Sequence, residues 1–88
     1  MKILKFPLEI VTTIKVSSQY EVLAVQNQRD YPVVWIAIDE NNAKDVELIF
    51  IEVLTGRTVP KDAKYVDTVQ FANGDYIAHY FYTTSGRW

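Results

Sequence analysis

KYVDTVQFANGDYIAHYFYT, residues 64–83, reads as a β-hairpin. Two runs rich in Tyr, Val, Phe and Ile flank Asn73-Gly74. Asn-Gly suits a two-residue type I′ turn, because both central residues of that turn take positive φ. Such a turn predicts the register. Ala72 stands opposite Asp75 beside the turn. On one face Phe71 pairs with Tyr76, Val69 with Ala78, Asp67 with Tyr80 and Tyr65 with Tyr82. On the other Gln70 pairs with Ile77, Thr68 with His79 and Val66 with Phe81. A slip of one residue would exchange the faces, so the turn also decides which side chains meet the core. On this register the His79 imidazole and the phenols of Tyr65, Tyr76, Tyr80 and Tyr82 lie on opposite sides.

Outward from the hairpin, the chain continues in short strand-like runs. Lys2 to Phe6 predicts a first strand, stopped by Pro7, which lacks an amide donor. Leu8 to Val16 (LEIVTTIKV) predicts a second, with Leu8, Ile10, Thr12, Ile14 and Val16 on one face. After the polar break Ser17-Ser18-Gln19-Tyr20, Glu21 to Gln28 and Tyr31 to Asp39 predict two strands joined near Arg29-Asp30. The second is apolar on both faces: Val33, Trp35 and Ala37 on one, Val34, Ile36 and Ile38 on the other. A strand of that kind is expected at the centre of a sheet and covered twice. Val46 to Leu54 (VELIFIEVL) reads as a strand from its β-branched content. Helical spacing would instead group Val46, Ile49, Phe50 and Val53. The expected fold is all-β, a small antiparallel sandwich or barrel of about six to seven strands. A short helix within 40–54 would make it α+β. Residues 1–84 form a single β-rich domain, and 85–88 read as a loose C-terminal tail.

Composition narrows the function classes. A chain of 88 residues makes one domain, and its modest core leaves room for partner subunits to supply burial. Hydrophobic residues make up 49% and aromatic residues 14%, which separates it from disordered chains. No cysteine is present, so no disulfide, thiolate metal site or cysteine nucleophile is possible. Net charge is -2, without the basic excess of a nucleic-acid binder. Lys5, Glu9 and Lys15 interrupt the N-terminal apolar run, which excludes a signal peptide there, and no run is long enough to span a membrane. The expectation is a soluble intracellular protein with neither nucleic acid nor membrane as partner.

Chemistry-bearing residues are few. The single histidine, His79, sits in a strand opposite Thr68 and reads as a half-buried structural histidine or a ligand contact. One His with scattered carboxylates predicts no metal site, and DENNAKD (residues 39–45) lacks the spacing of a calcium loop. Thr55-Gly56-Arg57-Thr58 is a glycine turn whose backbone amides, hydroxyls and guanidinium suit a phosphate or carboxylate. It also reads as a plain surface turn. The hairpin tyrosines read either as core or as a contact surface. Trp35 reads as core, and Trp35 or Tyr80 is the aromatic available to stack on a base.

Met1-Lys2-Ile3 with Lys5-Phe6-Pro7-Leu8-Glu9-Ile10, then Leu23 to Gln28, Pro32, Trp35 and Asp39 form an ordered set of residues. Thr55-Gly56 with Val59-Pro60, and Tyr65, Thr68, Gly74 and His79 to Phe81, complete it. In order and spacing these resemble a family of short, uncharacterised proteins of tailed phages and prophages. The family often has His where this chain has Arg57, an aromatic where it has Ala78 and Gly where it has Asp67. The resemblance implies a phage origin and a compact β-rich domain; with the intracellular expectation above, the expected location is the host cytoplasm. It assigns no activity, cofactor or catalytic residue. Together these readings predict a binding protein rather than an enzyme, an antagonist of host defence acting as a homo-oligomer. It either sequesters a small nucleotide-like anion or blocks a host protein. The expected ligand contacts are Trp35, Thr55, Gly56, Arg57, Thr68, His79 and Tyr80. The alternative role is a structural or assembly component of the virion.

Overall fold

The computed structural model describes residues 1–84. The expected tail and Trp88 lie outside the described residues. Strands β1 (Lys2–Pro7), β4 (Tyr31–Ile38) and β3 (Tyr20–Gln28) form one antiparallel sheet in the order β1-β4-β3. Strands β2 (Val11–Val16), β5 (Val46–Leu54), β7 (Tyr76–Thr84) and β6 (Lys64–Phe71) form the other, in the order β2-β5-β7-β6. The architecture is the expected all-β sandwich. Val46–Leu54 is a strand, so the helical alternative for 40–54 falls away.

The core lies between the sheets. Val34, Ile36 and Ile38 of β4 face Leu48 and Phe50 of β5 and Ala78 and Tyr80 of β7, all of them buried. Leu8 to Ile10 does not extend β2, contrary to the sequence reading. Pro7 has no amide for the ladder, and Leu8 instead donates its N–H to the Pro32 carbonyl (3.0 Å) and buries its side chain. Thr12 Oγ1 accepts from the Glu9 amide at 2.7 Å and fixes the bend that carries the chain between sheets. The second face of β4 also departs from expectation. Val33, Trp35 and Ala37 lie on the outer face of the three-stranded sheet, away from the four-stranded one; Val33 and Ala37 are buried there as expected, and Trp35 between them is not. Trp35 is half-buried rather than core. Its indole N–H donates to Gln26 Oε1 (3.0 Å), and Lys5 Nζ stands 5.7 Å from its ring.

The hairpin follows the predicted register from Phe71–Tyr76 to Asp67–Tyr80. Asn73 (φ 56, ψ 33) and Gly74 (φ 91) take the expected left-handed conformations, and the Asp75 amide donates to the Ala72 carbonyl at 3.1 Å. Ala72 is itself left-handed (φ 51), so the ladder stops at Phe71–Tyr76 and the Ala72–Asp75 pair does not form. Beyond Asp67 a β-bulge at Val66 shifts the register. Tyr65 pairs with Phe81, not Tyr82, and is carried to the outer face beside His79. The phenols are therefore split. Tyr80 and Tyr82 point inward, and Tyr65 shares a side with the imidazole.

The facing edges of the two sheets, β3 and β6, are joined by side chains rather than by a ladder. Asp67 Oδ2 accepts from the Val25 amide (3.2 Å). Asn27 Nδ2 donates to the Gln70 carbonyl (3.0 Å), and Asp30 Oδ1 accepts from the Ala72 amide (3.1 Å). Each contact satisfies a backbone group that the missing ladder leaves free. Replacing Asp67 by Ala strands the Val25 amide at a part-buried edge, so Asp67→Ala is expected to cost about 1–3 kcal/mol. Urea unfolding of the two proteins measures it, and a loss below a few tenths would show that the strand edges hold together without the carboxylate.

Candidate functional site

The outer face of the four-stranded sheet gathers most of the residues singled out from the sequence. Strand pairing stacks Val11 of β2, Ile51 of β5, Phe81 of β7 and Tyr65 of β6 into one apolar row. The next row holds Val53, His79 and Thr68. Alternation within each strand puts these side chains on one face, and the Val66 bulge adds Tyr65 to it. Val11 and Tyr65 are each 58% exposed, so the row ends in open apolar surface at both edges of the sheet.

A polar chain crosses beside the apolar row. Tyr65 Oη lies 2.8 Å from Thr68 Oγ1, and Thr68 Oγ1 lies 2.9 Å from His79 Nδ1. His79 Nε2 lies 2.9 Å from Thr55 Oγ1. Both ring nitrogens are thus engaged by hydroxyls and the imidazole is fixed in orientation. A hydroxyl can donate or accept, so the chain fits either tautomer by rotating O–H bonds.

The glycine turn sits at the end of this chain. The Arg57 amide donates to the Leu54 carbonyl (3.0 Å), and Gly56 at φ 90 occupies the position of the turn that needs positive φ. The turn therefore consumes the Arg57 amide. The expectation of several free amides loses this one. Among the described residues no carboxylate pairs with the exposed Arg57 guanidinium; the recorded ion pair is Lys2–Glu40. Arg57 stands between two open recesses. One, of about 240 Å³, is lined by Thr55, Gly56, Val59, His79 and Phe81. The other, of about 380 Å³, is lined by Ile10, Ile51, Glu52, Pro60 and Tyr76.

Of the seven residues read from the sequence, the fold brings together Thr55, Gly56, Arg57, Thr68 and His79. It separates the other two. Trp35 lies on the outer face of the opposite sheet. Tyr80 is buried on the inner face and donates its hydroxyl to Glu52 Oε1 at 3.1 Å, so it offers no ring to a ligand. Phe81, Val11 and Ile51 were not anticipated; Tyr65 was read as core or contact surface, but on the face opposite His79. Strand alternation points to Val11 and Ile51 on outer faces. Nothing local marks the bulge that delivers Tyr65. Among the described residues no three His, Asp or Glu side chains converge.

Glu52 is the acceptor for two phenols, Tyr80 at Oε1 and Tyr76 at Oε2 (2.6 Å). Burial, with the nearby carboxylate second, raises the Tyr80 phenol well above the ordinary value of 10.0.

Compared with known protein families, residues 1–88 match a family described as Domain of unknown function (DUF7352). No curated protein and no solved structure matches the chain.

Two outcomes are expected. The folded state keeps the Tyr80 proton where the unfolded chain releases it, so stability is full below the ordinary value of 10.0 and falls as pH rises above it. Tyr80→Phe flattens that decline, as urea midpoints across alkaline buffers would register. Gly56→Ala meets no steric neighbour but must hold φ 90, and is expected to cost about 1 kcal/mol by the same assay.

Proposed function

We propose that this chain, which belongs to the DUF7352 family, is a binding protein without turnover. The outer face of its four-stranded sheet receives a protein partner that presents an anionic group. Arg57, the Gly56 amide and the Thr55–His79 pair hold the anion, while Phe81 and Ile51 pack on the partner. The observation that carries this reading is the meeting of Thr55, Arg57 and His79 beside Phe81, from segments far apart in the chain.

The chemistry supports an anion. A guanidinium that no carboxylate pairs with among the described residues, next to hydroxyls and a glycine amide, supplies charge-assisted donors on one side of a small recess. The size supports a group carried on a larger partner. The recess beside His79, of about 240 Å³, is below the range of roughly 300–1,000 Å³ that encloses a small-molecule ligand, and its neighbour across Arg57, of about 380 Å³, only just enters it. A free nucleotide would stay largely in solvent there. The apolar row alongside gives a protein surface something to cover. The cluster of hydroxyls from Thr55, Thr68 and Tyr65 favours, as a second reading, a sugar-phosphate ligand. With the phage origin that the resemblance implies, the partner proposed is a component of the bacterial host and the role proposed is that of a host-defence antagonist.

The test is amide NMR of the chain titrated with orthophosphate, a nucleotide panel, and acidic and phosphorylated peptides. Shifts are expected at residues 55–59, Thr68 and 79–81, strongest with a peptide. Arg57→Gln is expected to weaken binding about tenfold. A response to nucleotides alone would replace the protein partner with a small molecule. Silence at these residues with every anion at millimolar concentration would remove the anion from the proposal.

A further inference from the structure

Three of the four strands that border the sheets are protected, and one is not. β3 and β6 face each other and are joined through Asp67, Asn27 and Asp30. β1 carries Lys2, Lys5 and Pro7, residues that blunt an edge. β2 (VTTIKV) pairs only with β5 and is β-branched at every position but Lys15. Residues of that kind favour further pairing.

The geometry of the edge can be read residue by residue. Glu52 donates its amide to the Ile10 carbonyl (2.9 Å), in register with Val11 opposite Ile51. In an antiparallel ladder, residues alternate in the side to which they turn both backbone groups. Thr12, Ile14 and Val16 therefore bond to β5. Val11, Thr13 and Lys15 direct their N–H and C=O groups to the free edge. No other backbone hydrogen bond reaches them among the described residues.

We infer that this edge pairs with the same edge of a second copy, antiparallel about a two-fold axis at Thr13. That register sets Thr13 against Thr13, and Val11 of each copy against Lys15 of the other. Every outward-facing donor and acceptor of β2 then finds a partner. Cross-strand Thr–Thr pairs are favourable, and the Lys15 stem covers Val11, which is 58% exposed. The two Lys15 ammonium groups fall at opposite ends of the shared ladder. Four residues at ~3.3 Å each separate them by about 13 Å, beyond the screening length at physiological salt. Sliding by two residues one way sets Lys15 against Thr13, strands Val11 and brings the two charges closer. Sliding the other way sets Lys15 opposite Glu9, which lies in the bend outside the strand, and so leaves the Lys15 backbone groups without a ladder partner. The edge is thus complementary to itself in hydrogen bonding, apolar cover and charge in one register, which a foreign peptide has no reason to match. The product is a continuous eight-stranded sheet. This pairing does not rest on the anion-binding reading, whose anion contacts lie on β7 and the 55–59 turn; the two share only Val11, at the β2 end of the apolar row.

Light scattering coupled to size exclusion tests it on the full chain. A dimer is expected. Thr13→Pro removes the donor at the axis without touching the β5 ladder and is expected to give a folded monomer. Should Thr13→Pro unfold, Thr13→Lys decides: it sets two ammonium groups opposite each other at an exposed position and is expected to weaken the dimer at least about tenfold. Val11→Glu, placed opposite Lys15, is expected to keep the dimer and make it salt-sensitive. A monomer at every concentration, or a dimer that Thr13→Lys leaves intact, would overturn the pairing.

Discussion

The hydrogen bond from the Val25 amide to the Asp67 carboxylate is the contact on which the shape of this domain rests. β3 and β6 lie side by side but share no ladder. Their edge amides and carbonyls would otherwise be left part-buried without partners. A carboxylate reaching across is a charge-assisted acceptor, worth more than a neutral hydrogen bond. Bulges sit close by on both strands, between Val22 and Ala24 in β3 and between Tyr65 and Asp67 in β6. Bulges add local twist, and twist turns these edges toward each other. The sandwich is therefore closed on one side by side-chain chemistry and left open on the other, along β1 and β2.

The Val66 bulge that adjoins this contact also shapes the outer surface. An unbroken register would send Tyr65 inward with Tyr80 and Tyr82. The extra residue reverses it, so Tyr65 extends the apolar row and its hydroxyl extends the polar chain through Thr68 to His79. Closure of the fold and construction of the candidate site thus draw on adjacent residues of one strand. A change at Val66 would be felt at both.

Much of this was legible in the sequence, for local reasons. Asn73-Gly74 fixed a turn that few other dipeptides fit, and alternation from Phe71 to Asp67 set the faces. Thr55, Gly56, Arg57, Thr68 and His79 were named from residue chemistry, and the fold gathers them because β5 and β6 flank β7. The Arg29-Asp30 turn stands where it was read, and a local bond, the Asp30 amide to Asn27 Oδ1 at 2.7 Å, holds its positive φ at both residues without glycine. What was not legible depends on long-range geometry. The bulges leave no composition signature. Trp35 and Tyr80 were misplaced because an apolar strand does not reveal which of its faces has a second layer over it. For β4 only the inner face does. For Tyr80, pairing with Asp67 was read correctly. The Asp67 carboxylate is an edge acceptor beside a dry face, which the pairing alone does not reveal.

The pleat of β5 and β7 bears on what the histidine can do. Val53 pairs with His79 on the outer face, and Glu52 pairs with Tyr80 on the inner face. The carboxylate nearest in sequence register to the imidazole is thus on the wrong side of the sheet and already serves two phenols. What stands behind the ring is Thr68, a hydroxyl without charge. A general base that accepts a proton in a reaction gains most from an anionic partner that stabilises the imidazolium. A recognition histidine gains most from being held still, and two hydroxyls at 2.9 Å do that for either tautomer. The division of acid and imidazole between opposite faces follows from strand alternation alone. It is the physical ground for reading this surface as one that binds.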